Sequence, residues 1–386
     1  MYDWTDLETI DYHRLMLADK VRMQSYLQAI LQIVKPGDVV MDIGCGTGIL
    51  AYFCCMAGAK CVYAVEQDPI VELARDICDR NGFKDRVIFL KGWSTQVEPQ
   101  EAVNVVVTET IGNIGFEEGI LGWIIDAKKR FLVRNGRLIP GFIDLVAAPV
   151  ELAEGDHLLN DWTKEIFALD YSPVTGLVSN NLVQRNLSPG SFLGEPAALL
   201  RADMAKIQSA NIEGQGAFVA NRNGVVQGLG CWFEAELAPG IIISNSPPLK
   251  TPNWTQILLP LERPIEVSKG DTLKVEVRSK DNGGNWQWSV ERNGQKLGEN
   301  GQSTLFGQLH SSVNQSALEH FPVISEDGEL DRYILDLMDG SNSIAEIAQR
   351  TADKFTLQFN SFEKALEQVL IVTELYDRRL NGQMKN

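Results

Sequence analysis

Apolar residues in the first third of the chain fall into two alternating periods. Across residues 11–34, "DYHRLMLADKVRMQSYLQAILQIV", the apolar positions Leu17, Val21, Leu27, Ile30, Leu31 and Val34 keep helical spacing. Lys35-Pro36-Gly37 stops that helix. Short branched runs and helical stretches then take turns. "VVMDIG", "CVYAVE", "RVIFLKG" and "VNVVVTE" read as strands. "GILAYFCCMAGA", the stretch from Asp68-Pro69 to Asn81-Gly82, and "EEGILGWIIDAKKRFL" read as helices, and "GRLIPG" closes the block. Such alternation predicts a parallel sheet with helices on both faces. Past Gly141 the texture changes. Residues 141–156 and 217–310 are strands and turns, punctuated by "NRNG", "DNGG" and "RNG", and predict an antiparallel sheet or barrel. Residues 157 to about 210 form an insertion with one helical run, "EPAALLRADMAKIQ", and from Phe321 the pattern is helical again. The expected divisions are therefore 1–36, 37–140, 141–320 and 321–386.

Composition narrows the function. The 386 residues carry a net charge of −16, which opposes a general nucleic-acid binder and suits cationic substrates. Cys45, Cys54, Cys55, Cys61, Cys78 and Cys231 include no C-x-x-C pair and no accompanying histidine cluster, so no metal is expected and the thiols read as buried residues of a reducing cytosol. The N-terminus lacks a signal-peptide pattern, and no apolar run approaches the ~20 residues of a membrane span; the chain is expected to be cytoplasmic.

The first chemical pattern is D-x-G-x-G-x-G in "MDIGCGTGIL", between a strand and a helix, with Asp42, Gly44 and Gly46. Glycines there allow a tight turn and close approach of a ligand. The dinucleotide pattern G-x-G-x-x-G is absent. Glu66 ends the next strand, where an acid accepts from a ribose diol. A nucleoside without phosphates fits, S-adenosylmethionine foremost. The second pattern is "VVVTETIGNIGFEEGI": a strand ending in Glu109, then two glycines, then Glu117 and Glu118.

Over roughly residues 3–295 these segments resemble the protein arginine methyltransferases. "YHRLMLADKVRMQSYLQAI" is similar to that family's N-terminal helix segment, "MDIGCGTGIL" and "AKCVYAVE" to its cofactor motifs, and "TETIGNIGFEE" to its double-glutamate hairpin. "RFLVRNGRLIPG" and "TPNWTQILLPLERPIEVSKGDTL" follow its domain junction and barrel. The resemblance implies a Rossmann-like class I methyltransferase domain, an antiparallel β-barrel whose inserted residues 157 to about 210 are a helical dimerisation arm, and a head-to-tail homodimer. It implies Arg22 on the carboxylate of S-adenosyl-L-methionine, Ser94 and Thr95 near the adenine, and Glu109 and Glu118 as the catalytic clamp. His13 would orient a glutamate, or simply occupy a helix face. Met16 would lie against the substrate nitrogen, favouring asymmetric dimethylation. Trp254 would line the pocket mouth or belong to the core. The family's Thr-His-Trp triplet reads Pro252-Asn253-Trp254, so Asn253 replaces its histidine. Glu117 has no family role and reads as first-turn helix charge.

Two carboxylates suit such chemistry. A guanidinium is a delocalised cation and a poor nucleophile; paired acids hold its plane and draw charge toward the nitrogens they touch. The substrate is then an arginine in a peptide or protein. The alternatives are free arginine or another small guanidine, and a non-catalytic cofactor-binding regulator. "YILDLMDGSNSIAEIAQRTADKF" resembles the helical part of PqqD-like winged-helix domains, which bind leader peptides; a helical cap on the barrel is the other reading.

Overall fold

The computed structural model describes residues 6–153, 165–166, 169–248, 254–296, 301–307, 323–356, 358–359 and 361–376. The chain forms two compact units, 1–309 and 310–386. The expected boundary at 320 falls within 308–322, outside the described residues.

The first unit opens with α1 (Asp6–Ala18) and α2 (Lys20–Ile33), where the apolar period predicted one helix. Asp19 divides them. Its backbone is extended (φ −73°, ψ 91°) and its side chain accepts the Arg22 N–H, capping α2. A parallel sheet follows: β1 (Val39–Ile43), β2 (Cys61–Glu66), β3 (Val87–Lys91), β4 (Val103–Thr108) and β5 (Leu132–Ile139), in the order β3-β2-β1-β4-β5. The helices α3 (Ile49–Met56), α4 (Ile70–Arg80) and α5 (Ile120–Arg130) connect them. β1 is buried along its whole length because both faces of the sheet are covered. One face joins Val40, Val62, Val105 and Val107 to Tyr26 and Ile30 of α2; the other packs Met41, Tyr63 and Val106 against Ala127 and Phe131. Each fully buried Val or Ile side chain contributes about 1.5–3 kcal/mol.

The barrel-like half has two antiparallel sheets. One contains β6 (Phe142–Val150), β9 (Val183–Arg185), β10 (Ala197–Asp203), β12 (Gly224–Ala238), β13 (Ile241–Ser244) and β14 (Gln256–Val267). The other contains β11 (Ile212–Val219), β15 (Thr272–Lys280), β16 (Asn285–Arg292), β17 (Gln295–Lys296) and β18 (Gln302–Ser303). Between β6 and β9 lie the hairpin β7 (Glu165–Ile166) and β8 (Leu169–Asp170) and the short helix α6 (Pro173–Ser179). The expected helix in "EPAALLRADMAKIQ" is the strand β10, paired with β6. Helix-favouring residues yield there to strand pairing: Leu199 and Ala202 enter the core, while Arg201 pairs with Asp144 and Glu236 on the outer face. β9 and β10 also lie inside the span expected for the arm, yet are strands of the six-stranded sheet. The core of the α/β half continues into the barrel through Ile114, Phe116, Ile143 and Phe233.

The second unit contains α7 (Glu326–Leu337), α8 (Ile344–Lys354) and α9 (Phe362–Tyr376), around Leu330, Ile334, Ile347, Ala348, Val369 and Val372. α8 begins with a reciprocal capping box between Ser343 and Glu346. No helix among the described residues is long and apolar enough to cross a membrane.

Candidate active site

The carboxyl ends of β1, β2 and β4 open onto a cavity of about 740 Å³, where open α/β sheets bind ligands. Past β1 the chain turns through Gly44 (φ +71°) and Gly46 (φ +51°), both left-handed. A Cβ at Gly44 would come within 3.0 Å of Thr110 Cγ2, and one at Gly46 within 2.8 Å of His13 Cε1. Glu66 is fixed beside this turn: one carboxylate oxygen accepts the Gly46 N–H at 2.9 Å and the other the Asp68 N–H at 2.9 Å.

Asp42 does not reach the cavity. It is fully buried beneath the turn, and burial pushes its carboxyl up to about 8. Among the described residues no donor meets either oxygen at hydrogen-bonding geometry, although the Ala51 N–H in the first turn of α3 pulls the pKa back. Asp42 therefore supports the turn from below. Of the pair expected at the adenine, Ser94 is buried and lines the cavity, while Thr95 is exposed and outside it. Trp93 and Trp123, which the sequence reading missed, line that wall with ring centroids 5.7 Å apart.

The acid side is built around Arg22. The Asp19 cap starts α2 so that Arg22 points inward; it is only 3% exposed. Arg22 Nη1 donates to Glu109 Oε2 at 3.0 Å, and the guanidinium lies 3.6 Å above the Trp254 ring. Arg22 Nε is buried with no acceptor among the described residues. Tyr26, one turn on, donates from its hydroxyl to the Thr108 carbonyl, tying α2 to the end of β4. Trp254 is both wall and core: it lines the cavity, is 4% exposed, and meets Phe233 edge-on at 5.0 Å.

Glu109 and Glu118 face the same cavity. Burial pushes the Glu109 carboxyl up to about 7, with Arg22 opposing and the Glu118 charge adding. Glu118 is raised too, by the protein packed around it and against the pull of Arg22, although its side chain stays open to the cavity. Met16 lines the cavity with them. His13 lies on the cofactor side, not beside the acid pair: its ring packs on Gly46, and the charges acting on it are Glu66 and Asp68, with burial lowering its pKa. Asn253 lies outside the described residues.

Glu117 corrects the sequence reading. α5 begins only at Ile120, so Glu117 is not first-turn helix charge. Its carboxylate turns back and accepts the N–H groups of Asn113, Ile114 and Phe116. Gly112 leaves room for it: a Cβ there would lie 2.4 Å from Glu117 Cδ. Burial pushes Glu117 up to about 7 against the pull of backbone N–H groups. The β15–β16 turn was also missed. Asp281 and Asn282 line the cavity in left-handed conformations (φ 54° and 53°), and Asn282 accepts the Gly122 N–H of α5 at 2.8 Å. "KDNGG" signals a turn, but not where it docks.

Comparisons with known proteins divide the chain where the architecture changes. Residues 23–141 match the family of ribosomal protein L11 methyltransferase (PrmA), and residues 144–289 match the arginine methyltransferase oligomerization subdomain. The solved Trypanosoma brucei PRMT1 enzyme-prozyme heterotetrameric complex with AdoHcy is similar with a TM-score of 0.67 and 22% identity, covering 74% of this chain and 93% of that one. Arabidopsis thaliana protein arginine methyltransferase 10 gives a TM-score of 0.66 at 22% identity, over 77% and 99% of the two chains. Probable protein arginine N-methyltransferase 6 of Arabidopsis thaliana is 30% identical over 239 residues, 59% of this chain and 55% of that protein, about half its length. Protein arginine N-methyltransferase 6 of Xenopus laevis is 30% identical over 283 residues, which is 69% of this chain and 83% of that protein. With the glycine turn, Glu66 and the acid pair in one cavity, this extent of likeness makes the chain a member of the protein arginine N-methyltransferase family.

Proposed function

We propose that the chain transfers a methyl group from S-adenosylmethionine to a guanidino nitrogen of an arginine in a peptide or protein. The observation carrying this reading is that Glu66, Arg22, Glu109 and Glu118 line one cavity, so a nucleoside site and a cation site are contiguous. The residues fit the cofactor. Glu66 keeps lone pairs for a ribose diol after accepting two N–H groups, and the buried Arg22 Nε is a donor for a carboxylate. Bound there, S-adenosylmethionine supplies an electrophilic sulfonium methyl.

The chain's own residues do the rest. Glu118 and the free oxygen of Glu109 grip the guanidinium; the other Glu109 oxygen is held by Arg22. This fixes the plane of the substrate and aims one nitrogen, so placement and preorganised charge contribute most of the acceleration. The substrate nitrogen becomes acidic only as its new bond forms, so a strong base is not required. Glu109, pushed up to about 7, or Glu118 accepts the departing proton. We expect a homodimer, since residues 144–289 match the arginine methyltransferase oligomerization subdomain, with the 154–182 segment as its arm. The test is incubation with methyl-labelled cofactor and an arginine-rich peptide, read by mass spectrometry. Label on arginine supports the proposal; label only on free arginine moves the substrate to the small guanidines. No label on either refutes it.

A further inference from the structure

Glu117 is the one carboxylate of the acidic loop with no part in the clamp, and its contacts differ in kind from those of its neighbours. Its oxygens receive three backbone N–H groups of a single turn: Asn113, Ile114 at 3.1 Å to either oxygen, and Phe116 at 3.2 Å. These partners are all donors, so only an acceptor on both oxygens satisfies them; an amide supplies one acceptor and brings donors of its own. The turn so gathered is the stretch joining Glu109 to Glu118.

The same turn is fastened at its other side. The Asn113 side-chain oxygen accepts the Thr255 N–H at 3.0 Å, and the Asn113 carbonyl accepts from Asn245 Nδ2 at 2.7 Å. Asn245 is fully buried and donates again to the Thr255 carbonyl at 2.6 Å. Thr255 follows Trp254, whose ring carries the Arg22 guanidinium, and Arg22 pairs with Glu109. A chain of polar contacts thus leaves the loop at Glu117 and returns to it at Glu109.

We propose that Glu117 is a positioning residue for the acid pair: by collecting the N–H groups of Asn113, Ile114 and Phe116 it fixes the turn that sets Glu109 and Glu118 against the substrate guanidinium. The proposal rests on the methyl-transfer reading above. It acts on the guanidinium side only; the glycine turn and Glu66 share no hydrogen bond with Glu117 among the described residues.

The experiment compares the wild-type chain with Glu117→Gln and Glu117→Asp. The second keeps the charge but withdraws the carboxylate from the three N–H groups by one methylene. Three quantities are measured: kcat on an arginine-rich peptide, affinity for S-adenosylhomocysteine, and hydrogen exchange of the loop amides. Expected for both variants is a kcat at least about tenfold lower, since displacement of catalytic groups by ~1 Å is costly. S-adenosylhomocysteine affinity stays within about twofold, and amides 113, 114 and 116 exchange about tenfold faster. A kcat unchanged in both variants overturns the proposal. So does a parallel loss of kcat and cofactor affinity, which marks a general effect on folding. If the wild-type chain transfers no methyl group, the methyl-transfer reading fails, and the exchange measurement still decides whether Glu117 holds the turn. Unchanged exchange in both variants overturns it outright. If Glu117→Gln does not fold, Glu117→Asp decides on the same three measurements.

Discussion

Replacing Glu66 separates two effects that the structure makes distinct. The carboxylate accepts the Gly46 and Asp68 N–H groups at 2.9 Å each, one per oxygen. These bonds exist with or without a ligand, so losing them lowers stability and not affinity. Asp68 is exposed and water replaces its partner; Gly46 is buried and is left with an unpaired N–H, at ~1–3 kcal/mol. Affinity depends on the remaining lone pairs, which face the cavity. Hydrogen bonds to a charged acceptor contribute about 1.5–3 kcal/mol. At about 1.4 kcal/mol per decade, Glu66→Ala should weaken S-adenosylhomocysteine binding ~10–150-fold. Glu66→Gln keeps one oxygen, which can serve either Gly46 or the ribose, and should fall at the lower end of that range. Isothermal titration calorimetry gives the dissociation constants, and a melting curve tracks the stability term. An unchanged dissociation constant in the folded Ala variant refutes the assignment of Glu66 to the ribose.

The other predictions concern the acid pair and assembly. Glu118→Gln keeps the shape but removes half the clamp's charge; it should abolish most turnover while S-adenosylhomocysteine affinity is retained, and a near-normal kcat contradicts the clamp. Gripping a cation requires ionised carboxylates, so kcat/KM should fall as pH drops through about 7, where the Glu109 carboxyl lies; a flat profile between pH ~8 and ~5.5 contradicts this. The ligand-free fold has the opposite dependence. With Glu109 raised from 4.5 to about 7, its contribution to stability is complete below 4.5 and is lost as pH rises through about 7, which denaturant titrations across that window can detect. Light scattering should give the mass of a dimer for the whole chain and a monomer when residues 154–182 are shortened; a wild-type monomer at micromolar concentration refutes the arm. Removing residues 310–386 should raise KM for a long peptide, leave kcat unchanged and not affect free arginine; equal loss on both substrates makes that unit a structural cap.

The residues that the sequence exposed most clearly are those whose chemistry is local. Gly44 and Gly46 stand at a strand-to-helix turn that needs left-handed backbone, and Glu66 ends the next strand at the place where a ribose acid acts. Glu109 was conspicuous because a carboxylate closes a buried apolar strand. The parallel sheet followed from alternating periods, and the helical character of the second unit from its apolar spacing.

What escaped the sequence reading depends on neighbours distant along the chain. "EPAALLRADMAKIQ" has good helix formers, but β6 offered an open edge, and pairing with it while burying Leu199 and Ala202 outweighed propensities of a few tenths of a kcal/mol per residue. Asp19 looked like one more polar position in a long helix until its side chain was seen to cap the second of two.

The amino-acid order by itself determined the alternation of strands and helices, the glycine turn and the types of acid available, because each is set by periodicity or backbone geometry within a few residues. Only the tertiary structure decided what each acid meets. Asp42 is one residue before the strand end and lies under the turn, Glu66 lies beside it, and Glu117 and Glu118 are adjacent yet point to different partners. Sequence spacing does not distinguish a carboxylate that meets a ligand from one that meets three backbone N–H groups, since that choice is made by the direction of the chain through Gly112 and by the groups that packing brings to either side.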